Sequence, residues 1–290
     1  MQITFATSAG GERPNEDYAV CGPNFAVVLD GATPLDNVDS GCSHDVPWLV
    51  RRLAAGIVAC LLRDQVPLPD VLAEAIQRTH DAHARSCDLS NPDSPSSTVA
   101  IVRARDDVLD YLVLGDSPVI LRRGEEIVPI CDDRADHLPG GRPYSAELVR
   151  RWRNAPGGFW VASTSEQAAG EALTGSANGV TVAALLTDGV TRLVERYGAT
   201  WAELFTVLEG TDGPAALIRW VREQERTAPA PLGKPHDDAT AILVMRRCQV
   251  EGPVAAANSS SNAAVVCGSS MIGVCPTPGS NSTRAPGTVR

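Results

Sequence analysis

Four apolar runs in this chain are bounded at one end by aspartate, and that recurrence constrains the fold more than any other feature. Phe25–Leu29 runs into Asp30-Gly31, Leu112–Leu114 into Gly115-Asp116, and Val182–Leu186 into Thr187-Asp188-Gly189. Asp237-Asp238 precede the run Ala239–Met245. Short runs rich in Val, Leu and Ala read as buried strands. A carboxylate at the tip of such a strand sits at the rim of a core, and a following glycine lets the backbone turn there. One such tip is an ordinary turn. Four of them raise a second possibility, that the acids gather at one rim.

The order of elements supports that possibility for part of the set. Ile3–Thr7 reads as a short strand and Ala9–Arg13 as a glycine-rich loop. Tyr18–Cys21 and Phe25–Leu29 read as a hairpin turning at Gly22-Pro23-Asn24. The start of the first strand and the end of the second then share a rim, so Glu16 and Asp17 stand beside Asp30. Ser43 to Arg63 is predicted as a helix, capped by Ser43 or Asp45 with Pro47 in its first turn. A second helix spans Asp70 to about Ser86, with Leu72, Ala75, Ile76, Thr79 and His83 on one face. Thr98–Arg103, Val108–Leu114, Pro118–Arg122 and Ile127–Ile130 read as a four-strand meander. Its turn Gly115-Asp116-Ser117 falls on the rim where Thr98 begins, opposite Asp106-Asp107. Cys131–Pro143 is a charged loop, Ser145–Asn154 a short helix, Phe159–Ala162 a strand and Ser165–Leu173 a small helix. Thr181–Leu186 is a buried strand, Thr200–Glu209 and Asp212–Arg226 are helices, Pro229–Pro235 is a linker and Ala239–Met245 the last strand. Residues 1–246 are thus expected to form the folded domain. The rest, 247–290, is rich in Ser, Ala, Gly, Pro and Asn, has no periodicity, and is expected to be a disordered tail.

Composition removes some functions. A chain of 290 residues that is 43% hydrophobic can build one large or two small cores. Its net charge of −10 argues against nucleic acid or an anionic membrane as a partner. No run approaches the ~18 apolar residues of a membrane span, and the N-terminus lacks the pattern of a signal peptide. A cytoplasmic protein, with a monomer as the working expectation, follows. The eight cysteines contain no C-x-x-C and no pairing with histidine at zinc-finger spacing. They are expected to be free and buried. Cys42 with His44, and His80 with His83, are close enough to ligate, yet both pairs are read here as structural: His83 faces the core and His80 the solvent.

Several carboxylates crowded at one rim cannot all stay ionised without cations. Oxygen ligands select hard divalent ions, Mg²⁺ or Mn²⁺. Two such ions can deprotonate a water and orient it for in-line attack on phosphorus.

The residues also carry a resemblance. In order along 1–246, the chain is similar to the metal-dependent serine/threonine protein phosphatases of the 2C type. Arg13–Asp17 (RPNED) resembles the family's arginine and N-E-D opening, and Val28–Gly31 its V-x-D-G. Ser97-Thr98 and Gly115-Asp116-Ser117 resemble its S-T and G-D-S. Asp136-His137 resembles D-H, and Glu147 through Gly157-Gly158-Phe159 resembles E-x-x-R-I…G-G-F. Thr187-Asp188-Gly189 and Asp237-Asp238-Ala239-Thr240 resemble S-D-G and D-N-x-T. The resemblance implies an α+β fold, a four-layer α-β-β-α sandwich of two antiparallel sheets flanked by helices. It implies two Mn²⁺ or Mg²⁺ ions, bridged by Asp30 and held by the Gly31 carbonyl, Asp188 and Asp237. Glu16 and Asp17 would hold waters around the ions, and Arg13 would grip the phosphate of a phosphoprotein substrate. The implied reaction is dephosphorylation of phosphoserine and phosphothreonine in signalling. The chain departs from the family pattern at Asp238, where the family often has Asn, in the loops Thr33–Cys42 and Leu138–Pro143, and at three further places. Ala32 stands where many members have a histidine able to protonate the leaving alkoxide. Arg13 is one residue closer to Glu16 than usual. Arg192 replaces an acid that helps hold a third ion, which speaks against a third ion through Asp116. Those departures keep two alternatives in view: a catalytically silent phosphatase-fold module that binds a phosphoprotein or partner, and a phosphoesterase for a small molecule.

Overall fold

The computed structural model describes residues 1–32, 38–63, 65–139, 144–228 and 235–246. Expectations for the linker before Pro235, for parts of the loops after Ala32 and Leu138, and for the tail fall wholly or partly outside these residues.

Among the described residues, ten strands form two five-stranded antiparallel sheets. The first has the order β1 (Gln2–Ser8), β10 (Ala239–Met245), β9 (Val182–Leu186), β6 (Val119–Arg123), β7 (Glu126–Ile130). The second runs β2 (Tyr18–Cys21), β3 (Phe25–Gly31), β4 (Ser97–Arg105), β5 (Val108–Leu114), β8 (Leu173–Asn178). Helices α1 (Val46–Leu61) and α2 (Leu68–His83) cover the second sheet, with the short α3 (Ala146–Trp152) and α4 (Gln167–Gly170) between β7 and β8 in the chain. Helices α5 (Asp188–Glu195), α6 (Trp201–Leu208) and α7 (Gly213–Thr227) cover the first sheet. The expected four-layer sandwich is therefore present.

Strand periodicity decides which face each residue serves. In β3, Phe25, Val27 and Leu29 pack with α1 and α2, while Ala26 and Val28 face the other sheet. In β4, Val99 and Ile101 face the helices, and Ala100 and Val102 face inward. In β10, Ala241 and Leu243 meet α5–α7, and Ile242 and Val244 face inward. Continuing the alternation turns Asp30 and Thr98 toward the seam between the sheets. The register pairs these two residues directly. On β2, Ala19 and Cys21 lean into the same inter-sheet core, so Asp17 has the same parity. The pairing of Tyr18 with Leu29 then sets Asp17 beside Asp30, and Gly31 N donating to Glu16 O at 3.2 Å continues the ladder.

Several expectations need correction. The four-strand meander does not exist. β5 and β6 lie in different sheets, and the chain crosses between them at Gly115-Asp116-Ser117. Hydrophobic alternation cannot distinguish a hairpin turn from a crossover, because both faces of β5 and the start of β6 are buried. Gly115 permits the crossing: its φ is +80°, and a Cβ there would meet Thr98 Cγ2 at 2.9 Å. β8 continues a segment read as helix, and α5 begins at a residue read as part of a turn. Phe159–Ala162 makes isolated bridges to Arg153 and Ser97 rather than a named strand. The cap of α1 is Asp45, accepting from Trp48 N at 2.8 Å. Asp212 precedes α7 but makes no side-chain cap, pairing with Arg219 instead.

The thiols also divide. Cys60 is free and buried, Cys21, Cys42 and Cys87 are free and half-buried, and Cys131 is disulfide-bonded. Among the described cysteines, the expectation of a free, buried thiol holds fully only at Cys60. No described helix is long and apolar enough to cross a membrane.

Gly115→Ala combines a left-handed backbone with a close contact and should cost about 1–3 kcal/mol of stability, read as a lower urea midpoint. A neutral result would mean that the crossing tolerates a side chain.

Candidate metal centre at the sheet rim

At the rim where β3, β5 and β9 end and β4 and β10 begin, Asp30, Gly31, Asp116, Asp188 and Asp237 line one cavity of about 210 Å³. Ala32, Thr98, Ala135 and Phe159 are also in its wall. The acids come from four separated stretches of chain, and each is positioned by backbone geometry. Asp30 is the inward-facing tip of β3. Its carbonyl accepts from Ser97 Oγ at 3.0 Å. Its Oδ2 accepts from Asp188 N at 3.4 Å, so the first peptide N–H of α5 points at the carboxylate. Gly189 is required beside it, because a Cβ would lie 1.9 Å from Asp238 O.

Behind the cavity, Asp17 is buried. Its Oδ2 accepts from Thr187 Oγ1 at 2.8 Å, while its Oδ1 is buried with no hydrogen-bond partner. Burial and the neighbouring Asp188 and Asp238 charges raise Asp17 to about 7, against the opposing hydrogen bonds of Thr240 and Thr187. Burial, then Asp17, Asp188, Asp116 and Asp237, push Asp30 well above the usual carboxylate range. An orphaned buried carboxylate oxygen and a set of mutually repelling acids are what a divalent cation with oxygen ligands would satisfy. The donor set therefore fits Mg²⁺ or Mn²⁺.

The paired aspartates before β10 have different tasks. Asp238 accepts from Gly10 N at 2.7 Å and Glu16 N at 2.6 Å. It ties the glycine-rich loop to the rim and has no oxygen left over from these two bonds. Asp237 lines the cavity, and its Oδ2 accepts from Arg192 Nη2 at 2.6 Å. Arg192 is buried and also bonds Glu225 Oε1 at 2.9 Å. The sequence marked Arg192 as a substitution; only the structure shows that it is an internal cation of the site.

Other expected residues are less central. Arg13 is exposed on the loop before β2 and does not line the cavity. Glu16 lies behind the rim, bonded through its backbone. Asp116 is exposed at the crossover. No histidine lines the cavity among the described residues. His137 is exposed in the turn after β7 and faces Asp133 O at 2.9 Å. Sequence reasoning missed Asp132 and Arg134. Asp132 is buried and accepts from Gly115 N at 3.1 Å, and Arg134 bonds both its oxygens. This pair braces the crossover from below, and a charged loop gave no periodic signal for it.

The comparisons with known proteins agree with this fold. The sequence model of the family described as protein phosphatase 2C matches residues 11–222. No curated protein matches the chain. Among solved structures, the serine/threonine phosphatase Stp1 from Staphylococcus aureus superposes with a TM-score of 0.57 at 14% identity, over 85% of this chain and 95% of its own. The Mycobacterium tuberculosis serine/threonine phosphatase PstP/Ppp gives 0.55 at 17%, over 85% and 99%. The catalytic domain of PstP in complex with two manganese ions gives 0.53 at 15%, over 83% and 96%. At these identities the likeness is one of fold.

The raised Asp17 sets a pH dependence for the metal-free protein. Folded Asp17 keeps its proton in a window where the unfolded chain has lost it. Its contribution is fully present below about pH 4 and is lost as pH rises through about 7. Between pH 4 and 8, urea denaturation of the metal-free wild type should lose on the order of 4 kcal/mol relative to Asp17→Asn. Parallel pH profiles for the two proteins would remove Asp17 from the account.

Proposed function

The chain belongs to the protein phosphatase 2C family of metal-dependent serine/threonine phosphatases, and from that premise we propose that it hydrolyses phosphoserine and phosphothreonine esters on proteins at a binuclear Mn²⁺ or Mg²⁺ centre. The observation that carries this reading is the convergence of Asp30, Gly31, Asp188 and Asp237 on one cavity. Asp30 would be shared between the ions, with the Gly31 carbonyl, Asp188 and Asp237 completing the protein ligands. When bound, such ions polarise phosphate oxygens and supply a hydroxide-like nucleophile at neutral pH. The structure solved with two manganese ions supports the choice of metal.

The chain's own residues do the rest. Ser97 fixes the Asp30 carbonyl, and the Asp188 N–H fixes its carboxylate. Thr187 orients Asp17 behind them. Asp238 anchors the loop that carries Arg13, whose guanidinium suits the non-reacting phosphate oxygens. Ala32 has no proton to give, so the leaving alkoxide takes its proton from solvent. A protein substrate, a cytoplasmic setting and a role in signalling follow from the same reading.

A second reading has one observation behind it. Arg192 already occupies one oxygen of Asp237, and a permanent internal cation lowers the need for a metal ion there. Taken to its limit, the cavity would bind a phosphoprotein without turnover.

Calorimetry with Mn²⁺ and turnover of p-nitrophenyl phosphate separate the two. On the phosphatase reading, Asp30→Asn and Asp188→Asn each lower Mn²⁺-dependent turnover by at least roughly 100-fold. Folded protein that binds no Mn²⁺, or turnover indifferent to both variants, would sink it. The alanine at position 32 adds an expectation about rate. Turnover of p-nitrophenyl phosphate, whose phenolate leaves without protonation, should exceed that of a phosphoserine peptide. Equal rates would mean that some other residue supplies the proton.

A further inference from the structure

Where the chain enters α1 and leaves α2, two half-buried cysteines and two histidines converge from segments about forty residues apart. Cys42 and His44 lie in the loop leading into α1. His83 is the last residue of α2, and Cys87 lies in the turn that follows it. Cys42 Sγ is 3.5 Å from His83 Nδ1 and 3.8 Å from His44 Nδ1. Cys87 Sγ is 3.4 Å from His44 Nδ1 and 3.2 Å from Cys42 Sγ. The four donor atoms all lie within 4.8 Å of one another.

We propose that Cys42, His44, His83 and Cys87 bind one structural Zn²⁺ ion. Zinc–sulfur bonds of about 2.3 Å and zinc–nitrogen bonds of about 2.0–2.1 Å make a tetrahedron with edges of roughly 3.4 Å between nitrogens and 3.8 Å between sulfurs. The three nitrogen–sulfur separations given above already have that size. The sulfur–sulfur edge has to open by about half an ångström, a small change for two half-buried side chains. Two thiolates with two imidazoles are a borderline-soft donor set that selects zinc over Mg²⁺ or Mn²⁺. Four protein ligands leave no open position, so the role is structural.

The surroundings are built for ligation. The His44 ring stacks on Trp48 with centroids 3.9 Å apart, and the His83 ring sits 5.2 Å from the same indole. His83 is only 1% exposed, so its ring cannot swing away to solvent. Ser43 N donates to Cys87 Sγ at 3.3 Å, and the Ser43 and Ser86 hydroxyls lie 3.5 Å from the same sulfur. Hydrogen bonds to sulfur of this kind support a thiolate ligand. A disulfide is the competing use of the two thiols. It would engage only the sulfurs, would need them about 2.05 Å apart, and would leave unexplained why two imidazole nitrogens face them.

No zinc-finger spacing is visible along the chain because the ligand pairs are C-x-H and H-x-x-x-C, on segments that only the packing of α1 against α2 brings together. The structural reading of Cys42, His44 and His83 is revised here, while His80 lies half-buried beside Asp81, apart from the cluster. The consequence reaches the rim. Nine residues after Cys87 the chain reaches Ser96, whose carbonyl accepts from Ala32 N at 2.9 Å. Asp88 N also bonds Gly41 O at 2.8 Å. The ion would therefore fasten together the two segments that flank the cavity.

The test uses the full chain produced with zinc and kept reduced. Elemental analysis should find one zinc per chain in wild type and in Asp30→Asn/Asp188→Asn, and none in Cys42→Ser/Cys87→Ser. Co²⁺ exchanged into the same site should give thiolate charge-transfer and tetrahedral d–d absorption. Should the double cysteine variant fail to fold, His44→Ala tests the same point. It should weaken zinc binding by more than the roughly 10-fold that loss of a supporting hydrogen bond costs. Absence of zinc and of the cobalt spectrum from folded wild type would overturn the proposal. So would zinc that leaves with the aspartates and not with the cysteines, or a Cys42–Cys87 disulfide found by mass spectrometry in the freshly purified reduced preparation.

Discussion

Carboxylates held side by side at the rim of two packed sheets repel one another, and the surrounding structure is arranged around that repulsion. Asp17 and Asp30 are neighbours because the register of β2 on β3 makes them so. Asp188 and Asp237 arrive from the other sheet at the same seam. The cost shows in the displaced titration of Asp17 and Asp30. It is held in check by partners that leave the cavity side open: Thr187 on Asp17, the α5 N-terminus at Asp30, and Arg192 on Asp237. A site whose ionised form is unfavourable alone is one that divalent cations stabilise.

Arg192 gives this chain its individual character. A guanidinium buried between Asp237 and Glu225 compensates two carboxylates at once. Glu225 in turn accepts from Arg222 and faces His236. Breaking a buried network of this kind is more costly than the net worth of any one pair, because it strands a charge out of water. The network also links α5 and α7 to the start of β10, so the position of Asp237 depends on a residue of α5 that lies 45 positions earlier.

Much of the site was legible because strand ends carry a simple signal. Asp30, Asp188 and Asp237 each adjoin an apolar run, and parity within β3 and β4 turns Asp30 and Thr98 inward without knowledge of the rest of the fold. The meander error has the opposite origin. A strand buried on both faces looks the same whether its neighbour in sequence is its neighbour in space, so β5 and β6 could not be assigned to separate sheets. α5 was missed because its first residue, Asp188, looked like the end of a strand. The strand ends at Leu186, Thr187 is the N-cap, and Asp188 already opens the helix.

Local sequence by itself determined every described strand but β8, the two covering helices α1 and α2, and the acids placed at strand tips, because hydrophobic period and chain geometry act over a few residues. Tertiary structure decided which of those acids meet, which aspartate of the pair 237–238 faces the cavity, and that Arg192 joins them. It also decided that Cys42 and His44 meet His83 and Cys87. These are contacts between residues tens to hundreds of positions apart. Their geometry is set by how sheets and helices stack, and no periodicity along the chain records it.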